Sequence, residues 1–212
     1  GMNELNANIN ENKTITFIEA KYLPHAVYIT AASKGIGEEY KKKYSLQQEA
    51  HVILNVFPNE LLKIKVNRPV KFYWYPQVIG PTRSLEQLIM AAGKLKGSFE
   101  LHLRGSFHNK DYKILLEKLV SDVGIQDKIF FHKPILAEHL ISDANKYDVG
   151  LALETDISIN RNVCVTNKIF CYLMAGLAII GTDTIGQKNI FLQFPNAVKV
   201  CKMNDIDDLV LS

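Results

Sequence analysis

From Lys71 onward the chain alternates short apolar runs with stretches of helical periodicity, and this alternation restricts the fold more than any other feature. Phe72 to Ile79 reads as a strand, Gly80 to Arg83 as a turn, and Ser84 to Lys96 as a helix with Leu85, Leu88, Ile89, Ala92 and Leu95 in register. Phe99 to Leu103 alternates as a strand. Tyr112 to Val123 is predicted helical, with Leu115, Leu119 and Val123 on one face. Lys128 to Phe131 is a strand, Ile135 to Asn145 a short helix and Val149 to Leu153 a strand. Thr166 to Ala175 is then a helix and Leu177 to Ile180 a strand closing at Gly181. Weaker units follow at Lys188 to Phe194 and Ala197 to Cys201, and Asp205 to Leu211 begins a last helix. Each helix between two strands must return the chain to the same sheet, so the strands are parallel and the crossovers right-handed. Val149–Leu153 and Leu177–Ile180 are apolar throughout, as strands covered by helices on both faces are. The expectation for residues 60–212 is an α/β fold with a doubly wound parallel sheet.

Residues 1–59 read as a smaller, partial α/β segment. Gly1 before Met2 has the look of a residue left by tag cleavage, and Asn3 to Lys13 is polar, a weak helix or loose terminus. Thr14 to Tyr22 finishes a helix that Pro24 stops. Ala26 to Thr30 reads as a buried strand. Ser33 caps a helix that ends in Lys41, Lys42 and Lys43, and His51 to Leu54 is a second strand. Pro58 breaks the pattern before a basic linker, Leu61 to Arg68.

Composition removes several function classes. A formal net charge of +3 is too small to imply a nucleic-acid partner. Cys164, Cys171 and Cys201 have no zinc-type spacing, and their odd number fits a reducing compartment better than a disulfide framework. With no long apolar run and no leader pattern, a cytoplasmic location is expected. Lys41 to Lys43 are read as a solvated helix end, with peripheral membrane contact as the alternative.

In open α/β sheets ligands sit beyond the carboxyl ends of the strands. That rule selects the loops Gly80–Arg83, Arg104–Phe107, His132–Ile135, Glu154–Thr166 and Gly181–Gln187. Gly80 and Gly105 allow close backbone approach, and Arg83 and Arg104 carry forked donors suited to phosphate. Thr166 is placed to cap a helix whose free N–H groups attract an anion. The plainer alternatives stand beside these. Glycines after strands are ordinary turn residues, and Arg83 would also serve as a solvated first-turn residue. Ala32-Ser-Lys-Gly-Ile-Gly37 matches neither a dinucleotide fingerprint nor a Walker loop, and reads as a strand-to-helix turn.

The stretch Asn167-Lys-Ile-Phe-Cys-Tyr-Leu-Met-Ala-Gly-Leu-Ala-Ile-Ile-Gly-Thr-Asp183 resembles the signature of retaining glycosyltransferases of the two-Rossmann-domain (GT-B) architecture, in particular family four. Ser84–Ala92, Leu101–Gly105, Ile129–Pro134 and Lys146–Leu153 resemble that family's donor-domain segments in order and spacing. Ile18 to Ser33, followed by Asn55, is similar to the end of its acceptor domain. The resemblance covers nearly the whole chain but only part of such an enzyme, as in a fragment or a reduced member. It implies a Rossmann-like donor domain, truncated at its C-terminus, that takes a nucleoside diphosphate sugar and serves transfer to a glycan or lipid acceptor, with no cofactor and no metal. By the same resemblance Arg83 corresponds to the cation that holds the diphosphate. The backbone of His132, Lys133 and Ile135 faces the nucleobase, and Asn162 to Thr166 with Asn167 and Lys168 meets phosphate and sugar.

The family often has two glutamates with seven residues between them. Here Cys171 stands at the second position and Val163 at the first by gap-free counting, and Glu154 could take the first role only with a redrawn loop. Gln77 stands near a common diphosphate-binding arginine. A thiol is a poor partner for ribose hydroxyls, and Cys171 reads as a packed helix residue. The catalytic residues are not identifiable from the sequence. Two other readings stay open: a nucleotide-sugar epimerase of the same fold, and a degenerate binding or scaffolding module.

Overall fold

The computed structural model describes residues 9–58 and 68–211. The expected start of the chain, the linker Leu61 to Arg68 up to residue 67, and the junction at 59/60 lie outside them.

The first helix, α1 (Ile9–Tyr22), ends in a 3-10 turn over Leu23–His25 that contains Pro24. A small unit follows: β1 (Thr30–Ala31), α2 (Lys34–Tyr44) and β2 (His51–Val52), the two strands paired in parallel. Ser33 caps α2 as expected, its hydroxyl accepting from the Ile36 N–H at 3.2 Å. The expectation of a buried strand at Ala26–Thr30 is corrected. Only Thr30 and Ala31 pair, and Val27 and Tyr28 are 93% and 69% exposed. In this register Tyr28, Thr30, His51 and Ile53 share a face that no described residue covers, since period-2 alternation sends Ile29 and Ala31 inward instead.

The second unit contains β3 (Val70–Trp74), β4 (Val78–Ile79), α3 (Leu85–Lys94), β5 (Phe99–Arg104), β6 (Ser106–Phe107) and α4 (Lys110–Asp122). It continues with β7 (Ile129–His132), α5 (Leu140–Ala144), β8 (Val149–Ala152), α6 (Ile159–Val163) and α7 (Asn167–Ala175). It ends with β9 (Ala178–Thr182), α8 (Ile185–Phe191), β10 (Val198–Cys201) and α9 (Ile206–Leu211). Six parallel strands pair in the order β10-β9-β8-β3-β5-β7. Counted along the chain from β7, that order is third, second, first, fourth, fifth, sixth, the doubly wound arrangement with its switch point between β3 and β8. The α/β expectation is met.

Helices cover both faces, and side-chain alternation along β3 divides the core. Trp74 joins Leu88, Ile89, Leu101 and Leu116 under α3 and α4. Tyr73 joins Ile169, Tyr172, Ile179 and Ile190 under α5, α7 and α8. Gly150 in β8 lets α7 pack closely on the sheet: a Cβ there would stand 2.3 Å from the Tyr172 ring.

Three sequence expectations change in detail. The strand expected over Phe72 to Ile79 is split, because Pro76 interrupts the ladder and Val78–Ile79 pairs separately with β6. The buried face of α4 is Tyr112, Leu116 and Val120, one step round from the expected stripe, and Leu115 is half exposed. The loop expected from Glu154 to Thr166 contains α6, capped by Ser158, whose hydroxyl accepts from the Arg161 N–H.

Candidate functional site

A cavity of about 530 Å³ opens at the switch point, beyond the carboxyl ends of β3, β5 and β8. That size suits a small-molecule ligand. The β4–β6 pair carries the Gly80–Arg83 turn out over it, and the Thr155 hydroxyl donates to the Thr82 carbonyl at 3.4 Å, joining that turn to the loop after β8. Thr82 and Ser84 both take positive φ, 68° and 56°.

The floor is a buried charge cluster. Lys168 Nζ, in the first turn of α7, lies 2.5 Å from Glu154 Oε1 and 3.3 Å from Thr166 Oγ1. Arg161 Nη1 lies 3.6 Å from Glu154 Oε2. Glu154, Arg161 and Lys168 are each under a tenth exposed. Burial works against the Glu154 charge, but Lys168, Arg83 and Arg161 outweigh it and hold the carboxyl below the usual carboxylate range. Three cations therefore surround one carboxylate, leaving the lining positive. Thr166 takes the N-cap position of α7 without a side-chain cap bond, so the first-turn N–H groups are not occupied by it.

The opposite wall is apolar and held by Arg104. Its Nε donates to the Tyr73 hydroxyl at 3.0 Å and lies 2.8 Å from Asp143 Oδ2, and its Nη1 donates to the Lys133 carbonyl at 2.7 Å. Burial opposes the Asp143 charge, yet Lys146, Tyr73 and Arg104 keep its carboxyl below the ordinary range. Arg104 thus fixes the segment that puts Ile135, Leu136 and Ala137 into the wall. Behind it His132 Nε2 and His102 Nδ1 are 2.9 Å apart, and His102 Nε2 is 2.9 Å from Glu100 Oε2. Burial lowers the pKa of both rings. With both rings neutral, the Glu100 carboxylate accepts from His102 Nε2–H, and His102 Nδ1 accepts from His132 Nε2–H.

Of the residues singled out in the sequence, Arg83, Arg104, Ile135, Glu154, Thr166, Asn167 and Lys168 line the cavity. Gly80, Gly105, His132, Lys133 and Asn162 are not part of the lining. Gly80 packs on His108, Gly105 on the Pro76 carbonyl, and Lys133 contributes its carbonyl to Arg104. Asn162 Oδ1 accepts from the Ile185 N–H at 3.1 Å, tying α6 to α8. Sequence reasoning did not single out Tyr75, Asn160 or Arg161 as lining residues, and it held Cys164 only within the Asn162–Thr166 segment. The Ser158 cap was the one available sign that Arg161 sits on a turn of helix. Gln77 also lines the cavity, Cys171 is fully buried beside Tyr75, and Val163 is buried. Burial pushes the Cys164 thiol up to about 11. Among the described residues no group of three or more His, Cys, Asp or Glu side chains is arranged to hold a metal ion. Among the same residues, no helix is long and apolar enough to cross a membrane.

The order of the sheet and the cavity at its switch point define a Rossmann-like α/β domain. Solved structures share this fold. Anabaena HepE in complex with UDP and glucose matches with a TM-score of 0.74 at 12% identity, over 94% of this chain and 56% of that one. S. aureus TarM, in complex with UDP and alpha-GlcNAc-glycerol among other ligands, matches with a TM-score of 0.71 at 10% identity, over 96% of this chain and 40% of that one. Sucrose-phosphate synthase from Thermosynechococcus elongatus matches with a TM-score of 0.66 at 16% identity, over 97% and 53%. The chain spans about half the length of these proteins or less. No family model matches the sequence, and no curated protein does.

Proposed function

We propose that this chain is the donor-binding part of a retaining glycosyltransferase of family-four type, together with the end of its acceptor side. The observation that carries the reading is the convergence of Arg83, Arg161, Lys168 and the start of α7 on one cavity at the sheet's switch point. Such a site suits a diphosphate. The solved structures of HepE and TarM, which share the fold, contain UDP.

In the proposed reaction the bond between the anomeric carbon and the diphosphate oxygen breaks, and the diphosphate leaves with the electron pair. An acceptor hydroxyl of a glycan or lipid forms the new bond to the anomeric carbon and passes its proton to the departing diphosphate oxygen. The contribution of this chain is electrostatic: cations and helix N–H groups fixed in advance where negative charge grows. No metal or cofactor is part of the proposal. The apolar wall at Ile135 to Ala137 is the place proposed for the nucleobase, with Arg104 positioning it through the Lys133 carbonyl.

Titration calorimetry with UDP and GDP tests the reading. At least one is expected to bind at submillimolar concentration. Absence of heat from both at millimolar concentration, with an intact circular-dichroism spectrum, would remove the donor-site assignment. A UDP-hexosamine converted without any acceptor would instead indicate an epimerase.

A further inference from the structure

The segment that brings Arg161 to the cavity is clamped between two glycines from different parts of the chain. On one side is Gly35, in the first turn of α2 in the small unit. A Cβ there would stand 2.7 Å from Val163 Cβ and 3.2 Å from the Val163 carbonyl oxygen. On the other side is Gly186 in α8, where a Cβ would stand 2.1 Å from the Cys164 carbonyl oxygen and 2.6 Å from that of Val163. Neither atom facing Gly35 belongs to the free end of a long side chain, so an added methyl displaces α6 itself. Gly35 has no positive φ, so helix propensity alone would favour alanine there. Ser33 fastens the same contact. Its hydroxyl accepts from the Ile36 N–H at 3.2 Å and donates to the Val163 carbonyl at 2.8 Å, across 130 residues of chain and out of solvent. Two residues before Val163, Arg161 is buried against Glu154 on the cavity floor.

We infer that the Ser33–Gly35 turn is a positioning element of the nucleotide cavity, acting through α6 to set Arg161 against the ligand's phosphates. The inference rests on the reading of the cavity as a nucleotide site. It gives the small unit a part in donor binding although none of its described residues lines the cavity. A displacement of α6 changes the direction from which Arg161 meets a phosphate, and hydrogen bonds weaken steeply once their angle departs from linear.

The test is UDP titration of the full chain carrying Gly35→Ala or Ser33→Asp. The aspartate still caps α2 but has no proton to donate to Val163. Each variant is expected to raise the UDP Kd about fivefold, the loss of part of one charged hydrogen bond. In an Arg161→Gln background, itself weaker for UDP, neither is expected to add a further loss. An equal loss in both backgrounds, or none in either, overturns the inference. If the unaltered chain binds no UDP, the nucleotide reading falls, and the NMR resonance of Arg161 Nε–Hε then decides the positioning separately. A resonance that stays put in both variants overturns it.

Discussion

Lys168 Nζ and Glu154 Oε1 meet at 2.5 Å under the floor of the cavity, both almost wholly removed from water. The pair joins the loop after β8 to the first turn of α7, and Glu154 is tied down further by its own backbone. Its N–H donates to Thr182 Oγ1 at 2.9 Å, and its carbonyl accepts from the same hydroxyl at 2.7 Å. Glu154 is therefore a fixed anion that orders cations around it. Any phosphate entering the cavity meets Lys168 and Arg161 already aligned, without the cost of arranging them at the moment of binding.

Removing one partner leaves a buried charge without its closest counter-ion, and that loss usually exceeds what the intact pair contributes. Lys168→Met is expected to lower unfolding free energy by about 3 kcal/mol, near the low end for a broken buried pair because Arg161 remains beside Glu154. The double variant Glu154→Gln/Lys168→Met is expected to cost less than the sum of the single changes. Urea denaturation checks both. The pH dependence has a definite sign. The Glu154 carboxyl is held below its unfolded value, about 4.3, so its contribution is complete above that pH and is lost as pH falls through the lower folded value. In Glu154→Gln this acid limb should flatten.

The two arginines are expected to separate binding from stability. Arg83 lines the cavity from a turn and is half-buried, whereas Arg104 holds Asp143, Tyr73 and the Lys133 carbonyl. Arg83→Ala should weaken UDP binding by about 1–3 kcal/mol, a factor of roughly 5 to 150, with little change in stability. Arg104→Ala should lower stability by about 2 kcal/mol or more, because the Asp143 carboxylate and the Lys133 carbonyl lose a partner. Calorimetric titration and thermal unfolding of the two variants decide between this division and a shared phosphate role.

Much of this organisation was legible in the sequence because strands buried on both faces are apolar throughout and helices carry a period. Val149–Leu153 and the Asn167 helix are examples, and both fall where expected. The cavity followed from a topological rule, so Arg83 and Glu154 could be placed near a ligand from their loops alone, and Lys168 from the family resemblance. Arg161 stands in the selected Glu154–Thr166 loop but could not be singled out there, because a five-residue helix inside a polar loop has too few turns to show a period. Arg104 was assigned to phosphate because its charge is visible in a sequence and its partner is not. Arg104 ends a strand and Asp143 lies on α5, 39 positions away, and only the fold brings the two to 2.8 Å.

The face of α4 shows the same limit at the level of packing. Leu115 and Leu116 are neighbours in sequence, yet Leu116 is fully buried in the core with Trp74 and Ile89, while Leu115 is half exposed. Leu116→Ala should destabilise the chain by about 2–5 kcal/mol, and Leu115→Ala by under about 1 kcal/mol. Equal costs in urea denaturation would mean that α4 is rotated from the position described.

Gly150 makes a direct steric test of how α7 packs. It lies in β8, and an added Cβ would sit 2.3 Å from two atoms of the Tyr172 ring. That ring has no route of escape. It is fully buried, its hydroxyl donates to the Leu151 carbonyl at 3.3 Å, and it stands edge-on to Tyr73 and Tyr75. The methyl must therefore push α7 off the sheet, and the start of α7 carries Asn167 and Lys168 into the cavity. Gly150→Ala is expected to cost about 3 kcal/mol, at the upper end of ordinary overpacking, and to weaken UDP binding as well. Shrinking the obstacle should relieve it: Gly150→Ala with Tyr172→Val should cost clearly less than the two single changes added together. If alanine alone is accepted with no measurable loss in urea denaturation, the close packing of α7 on β8 is wrong. The placement of Lys168 on the cavity floor would then fall with it.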